Sequence, residues 1–334
     1  MIYGLTCISE QLKDKNKTKY SFRTMTRKRF NDLAEQNGRL EAISELSKRI
    51  VHNTRVTRYI LRHCAFNDIK HYRLSSAMFP LLTDKSLGIS FSDLPNSAII
   101  RNELKLVGLI AKKYNISIGS HPDQFNVLAS TDREKVDRTI NELNFQASVL
   151  DMIGLPQDHT APMNIHINYT PKMDETLEIV STRFFRNLSM CDAGVYNRLT
   201  IENEDKGFFN VDNCIKFSEH LFNTFGANIP VCYDNLHDFC NPSEVLSVKW
   251  QAERCAYTWV NQSSTIEDGN NFLSPVFHWS EGKPDKPRSH ADYFALGNIP
   301  PIIAIEPNKE TKWECEVKCK DKAIRLLRNN LTIA

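Results

Sequence analysis

Five histidines and three carboxylates recur through the later two-thirds of this 334-residue chain, each inside or just after a short apolar run. They are His121 after SIGS, His166 in NIHIN, Glu202 closing LTIE, Asp234 closing VCYD with His237 three residues on, His278 in VFHWS, His290 in RSHAD, and Glu316 in ECEVK. Imidazole suits Zn²⁺, Mn²⁺ or Fe²⁺, while carboxylates suit harder ions and can bridge two of them. Gathered without cations, such groups would repel one another or take up protons. A mixed set of this size is enough for two or three divalent ions. Ions roughly 3.5–4 Å apart activate water and stabilise the leaving oxygen of a phosphodiester.

Taken singly, each residue has a plainer explanation. A strand-end histidine is commonly a hydrogen-bonded core residue, and a lone Asp or Glu commonly caps the next helix. Polar side chains inside apolar strands are costly to bury unpaired, however. The same pattern on six successive strands points to one shared metal site.

Those residues need elements that bring them together. Apolar strand-like runs lie at 2–7, 71–74, 116–120, 164–167, 198–202, 230–234, 275–279 and 313–317. Helical patterns separate them. Leu40, Ile43, Leu46, Ile50, Thr54, Thr57 and Leu61 repeat every three to four residues and predict one apolar face. Further helices are expected over 98–114, 132–153, 211–225, 242–256 and 321–331, with Thr131 and Glu134 resembling a capping box, and a loop or insertion at 257–273. Strands alternating with helices imply parallel pairing. Eight of them predict an α/β fold with a single (β/α)8 TIM barrel over residues 1–334 and a metal cluster at its C-terminal mouth. The chain has no GxGxxG or GxxxxGK[ST] motif, which weakens a nucleotide-cofactor reading.

Apolar residues make up 41% and charged residues 25%, as expected of a soluble globular protein. No apolar run reaches membrane-spanning length, and MIYGLTCISEQ turns polar too early for a secretory signal. A monomer in the cytoplasm or on the nucleoid is the expectation. Nine cysteines without a CxxC pair argue against a disulfide framework. The net charge is only +2, so a nucleic-acid surface needs local clustering. Residues 13–29 supply it: Lys13, Lys15, Lys17, Lys19, Arg23, Arg27, Lys28 and Arg29 against Asp14, with Tyr20 and Phe22 among them. Basic groups neutralise phosphates and aromatic faces stack on bases.

In these same segments the chain resembles the ultraviolet damage endonuclease family. The likeness runs through HYRLSSAMFPL (71–81), SIGSHPDQF (117–125), NIHI (164–167), LTIENEDK (199–206), YDNLHDFCNP (233–242), FHWSEGKP (277–284), RSHADY (288–293) and ECEVKCKDKAIRLL (314–327). It implies a TIM barrel holding several divalent ions, typically Mn²⁺. The implied reaction nicks damaged double-stranded DNA immediately 5′ of cyclobutane dimers, 6-4 photoproducts and abasic sites, leaving a 3′-hydroxyl and a 5′-phosphate. The implied metal set is the eight residues above plus Asp84, at a position usually occupied by histidine. The implied catalytic set is Glu202, Asp234, His278, Glu316 and Lys318, with Lys320 also near phosphate. Glu316 fits this pattern better than Glu306. Gln124 and Phe125 match the pair that wedges into the duplex at the lesion, and Arg73, Lys28 and Arg29 join the DNA contacts.

The chain departs from the family pattern in several places. Phe125 stands where the family usually has tyrosine. Val276 stands where it has a lysine, carboxylated to bridge metals, and Leu5 where it has a DNA-facing aromatic. Two alternatives keep the barrel: an apurinic-site endonuclease or sugar isomerase, and a metal-poor DNA-binding relative without catalysis.

Overall fold

In a computed structural model, the protein is described over residues 1–123, 125–244, 247–260, 272–307 and 309–333. Eight strands build its centre: β1 (Ile2–Thr6), β2 (His71–Arg73), β3 (Ser117–Gly119), β4 (Met163–His166), β5 (Leu199–Glu202), β6 (Val231–Cys232), β7 (Val276–Ser280) and β10 (Lys312–Glu316). They pair in the orders β3-β2-β1-β10-β7 and β4-β5-β6. Parallel bridges between Ser120 and Met163 and between Asp234 and His278 join the two sheets at both edges. The result is a closed parallel barrel whose strands match the expected runs to within two residues.

Side chains alternate along each strand. On β7 and β10, Phe277, Trp279 and Trp313 pack edge-on against one another at centroid distances of 5.3–5.6 Å. Burying each ring is worth about 1.5–3 kcal/mol. His278, Ser280, Glu314 and Glu316 take the alternate positions, which are therefore free to build a polar interior.

Helices cover the barrel: α1 (Glu10–Lys15), α2 (Lys17–Tyr20), α3 (Arg27–Asn37), α4 (Arg39–Phe66), α5 (Ser97–Tyr114), α6 (Arg133–Ile153), α7 (Leu177–Leu188), α8 (Ala193–Tyr196), α9 (Val211–Phe225), α10 (Asn235–Cys240), α11 (Val248–Ala256) and α12 (Lys320–Ile333). The α4 stripe is buried from Ile43 to Leu61, but Leu40 is 85% exposed because it lies in the first turn. Asp132, rather than Thr131, caps α6 by accepting from the Glu134 and Lys135 amides. Helix α11 starts at Val248 under a Ser247 cap, later than the expected 242, and residues 245–246 lie outside the described residues. Most of the expected loop at 257–273 also lies outside them, although Val260 and Phe272 form an antiparallel bridge at its ends. Helix α7, capped by Thr176, was not anticipated. Nor was an antiparallel hairpin after β7, formed by β8 (Gly282–Lys283) and β9 (Lys286–His290).

All nine cysteines are free. No helix among the described residues is long and apolar enough to cross a membrane.

Candidate metal centre

Glu202 ends β5 with 1% exposure and sits among four imidazoles. Its Oε2 lies 3.1 Å from His121 Nε2 and 3.7 Å from His166 Nε2. Its Oε1 lies 3.0 Å from His278 Nδ1 and 3.1 Å from His237 Nδ1. Three groups are compact enough to hold an ion: His121 with Glu202 and His278; His166 with Glu202 and His237; Asp234 with His278 and Glu316. The first two share Glu202, and the first and third share His278. The geometry thus gathers His121, His166, Glu202, Asp234, His237, His278 and Glu316, from the ends of six strands.

Neighbouring acceptors orient the ligands. His121 Nδ1 donates to the Pro122 carbonyl at 3.0 Å, leaving Nε2 as the basic nitrogen facing Glu202. His237 Nδ1 lies 2.9 Å from the Asn203 carbonyl and donates to it. Asp234 Oδ1 caps α10 through the Leu236 and His237 amides at 2.7 and 2.9 Å, and Oδ2 accepts from Ser280 Oγ at 2.9 Å. The capping role and membership of the cluster therefore coexist in one side chain. Asn164 Nδ2 donates to Glu202 Oε2 at 2.5 Å.

The electrostatics fit a cation site. Burial opposes ionisation of Glu202, but His278 and His166 hold its carboxyl well below the usual range. Burial likewise opposes charging of His237, yet Asp234 and Glu202 push it up to about 10. Burial drives His166 down to about 4, so it is neutral near pH 7, and its Nδ1 is buried without a hydrogen-bond partner among the described residues. Nitrogen and carboxylate lone pairs only 3.0–3.1 Å apart need a proton or a metal between them. The mixed imidazole and carboxylate donor set suits first-row divalent ions.

Beneath the cluster lies a layer that strand-end reasoning did not reach. Glu314 accepts from His71 Nε2 at 2.8 Å and faces His278 Nε2 at 3.2 Å. His71 Nδ1 meets Ser117 Oγ at 2.8 Å. A Cβ at Gly4 would meet His71 Cδ2 at 3.0 Å, so glycine on β1 leaves room for the ring. Arg73, expected at the DNA, is instead buried here. Its guanidinium lies 3.0 Å from Glu314 Oε2 and also contacts Glu316. Alternation could have flagged Glu314, two residues before Glu316 on the same face of β10.

The remaining expected residues fall outside the three groups. His290 ends β9 with Nε2 3.5 Å from Glu316 Oε2, and its Nδ1 is buried and unpartnered among the described residues. Asp84 lies outside the three groups, bonded to Arg27 at 2.7 Å and to Ser86 Oγ at 2.6 Å. Lys318 is exposed, 3.9 Å from Asp292, and Lys320 donates to Thr6 Oγ1 at 2.9 Å. Lys28 and Arg29 are exposed on α3. Tyr20 and Phe22 pack on the core, so the aromatic half of the basic-segment expectation is structural. Leu5 is fully buried and cannot face DNA, and Val276 is buried at the start of β7. Phe125 is 77% exposed, and Gln124 lies outside the described residues.

A cleft of about 950 Å³ opens over the cluster. His166 and His237 face it from the barrel, and Phe125, Arg138, Asn168, Glu204, Lys206 and Arg288 line it. Burial pushes the Glu204 carboxyl up to about 7, and it accepts from the Asn168 amide at 2.6 Å. Asn168, like Cys7, has a left-handed backbone just beyond a strand end, and Lys320 has one at the start of α12. Such strain is concentrated at functional sites.

Comparison with known proteins agrees with this geometry. The family description "UV-endonuclease UvdE" matches residues 1–333. A UV DNA damage endonuclease from Nostoc sp. is 30% identical over 98% of this chain and 89% of its own length. One from Bacillus cereus strain G9842 is 25% identical over 92% and 87%. The crystal structure of SacUVDE superposes with a TM-score of 0.71 at 24% identity, covering 98% of both chains.

Proposed function

The chain belongs to the UV-endonuclease UvdE family, and from that premise we propose that it is a metal-dependent DNA-repair endonuclease cutting immediately 5′ of ultraviolet photoproducts. The carrying observation is Glu202, one buried carboxylate among four imidazoles below an open cleft. Divalent ions, Mn²⁺ in this reading, supply Lewis acidity for displacement at phosphorus. His121, His166, Glu202, Asp234, His237, His278 and Glu316 would hold them. The fixed hydrogen bonds of His121 and Asp234 preset the ligand atoms, so little reorganisation is needed during reaction.

Selectivity falls to the cleft rim. Phe125 presents an exposed ring beside the cluster. Damaged bases stack poorly and are cheaper to open, so a wedge there distinguishes them. Cyclobutane dimers and 6-4 photoproducts meet this condition, and abasic sites meet it too. Lys28 and Arg29 on α3 serve the duplex backbone in this reading.

The test is nicking of supercoiled plasmid in Mn²⁺, with irradiated and unirradiated DNA in parallel. The expected result is relaxation of irradiated plasmid alone, abolished by EDTA. Equal cutting of both plasmids would contradict damage specificity.

A further inference from the structure

The hairpin formed by β8 and β9 carries Lys283, Lys286 and Arg288 beside the metal centre, and nothing in the cluster chemistry accounts for them. Lys283 and Lys286 are paired in register across the turn at Pro284 and Asp285. Like charges directly opposite on paired strands are destabilising. Two lysines thus hold facing positions where folding alone favours their separation.

The hairpin is held firmly. A Cβ on Gly282 would lie 2.3 Å from the Pro287 carbonyl oxygen and 2.9 Å from Leu236 Cδ1, so its backbone packs tightly on α10. Asn235 and Ser280 exchange hydrogen bonds of 2.7 and 3.0 Å at its base. The Ala291 amide donates to the Glu281 carbonyl at 2.7 Å. On the far side, Arg288 Nε donates to Asp205 Oδ2 at 2.6 Å, on the loop after β5. The arm therefore spans the mouth from β7 toward the β5 loop, and its outer strand is exposed from Lys286 to Ser289. A ligand that relieves the lysine repulsion is anionic, and Arg288 on the same strand lines the cleft beside it.

We propose that this hairpin is a preorganised phosphate-binding arm, with Lys283 and Lys286 gripping the DNA backbone away from the phosphodiester being cut. The assignment rests on the endonuclease reading above. Backbone contacts release counterions, so each lost contact lowers the salt slope of duplex binding by about 0.9. The probe is a fluorescein-labelled undamaged duplex, with anisotropy measured over a salt series. K283Q/K286Q should reduce the slope by about 1.8 and weaken binding several-fold at ~0.1 M salt. K286Q alone should give about half the slope change. Circular dichroism and metal content establish that fold and cluster persist. K112Q/K113Q, at the C-terminal end of α5 and so at the opposite end of the barrel, should bind as wild type.

Unchanged slope and affinity in K283Q/K286Q would overturn the proposal, as would an equal loss in K112Q/K113Q. Nicking of a thymine-dimer duplex by the wild-type chain is measured alongside. If wild type nicks that duplex while K283Q/K286Q binds normally, this inference alone falls. If wild type neither binds nor nicks DNA, both readings fall.

Discussion

His278 shows how one residue joins two layers of the site. Its Nδ1 faces Glu202, Asp234 and Glu316 at 3.0, 3.8 and 3.5 Å, and its Nε2 faces Glu314 at 3.2 Å. A ring protonated at Nε2 would turn that proton toward Glu314 and leave Nδ1 basic toward the ions, the usual carboxylate–histidine support of a metal ligand. Glu314→Gln should therefore weaken Mn²⁺ binding by about 10- to 100-fold in a chelator competition. Unchanged affinity would remove Glu314 from this role. Phe125→Ala should weaken binding to a dimer-containing duplex by about 1–3 kcal/mol. Urea stability should not move, because the ring is 77% exposed; parallel losses would make Phe125 a packing residue. The cluster histidines and Glu202 were legible because a parallel strand's last inward residue must reach the mouth. Arg73 was not, because a charged residue in HYRLSS reads equally as a surface contact. Only the pairing of Gly4 with both His71 and Glu314 reveals the polar layer in which its guanidinium lies.

At the scale of elements, Asp321 ties α1, α4 and α12 together. It faces His63 Nε2 at 2.8 Å, accepts the Glu10 amide at 2.8 Å, and contacts the Ser9 hydroxyl. Burial raises its pKa, but the bonds from His63 and Ser9 outweigh that and leave it below 3.8. A depressed folded-state pKa gives stability that is present above 3.8 and lost as pH falls through the lower folded value. Asp321→Asn should thus cost about 1–3 kcal/mol at pH 7. The gap to wild type should narrow in acid, as followed by thermal unfolding at pH 7 and pH 3. A gap that does not change with pH would contradict the charge-based account. The long helices were readable from their apolar stripes. The β8–β9 hairpin was not, since GKPDKPRSH has two prolines and no apolar alternation. Its position is fixed by contacts with α10 and Asp205, far away in sequence.

For the whole molecule, closure of the barrel is what turns dispersed motifs into one site. Residues from 121 to 316 meet because eight parallel strands end at a common mouth. The modest net charge of +2 hides a local arrangement of cationic groups around that mouth, on α3, on the β8–β9 hairpin and in the cleft wall. Composition alone could not show it. The most direct test uses a defined duplex containing one thymine dimer, incubated with Mn²⁺ and wild-type protein or Glu202→Gln, with product ends mapped at nucleotide resolution. A single wild-type cut immediately 5′ of the dimer, with 3′-hydroxyl and 5′-phosphate ends, is the predicted result, and Glu202→Gln should lose at least about 100-fold in rate. Cutting at scattered positions, or undiminished cutting by Glu202→Gln, would contradict it.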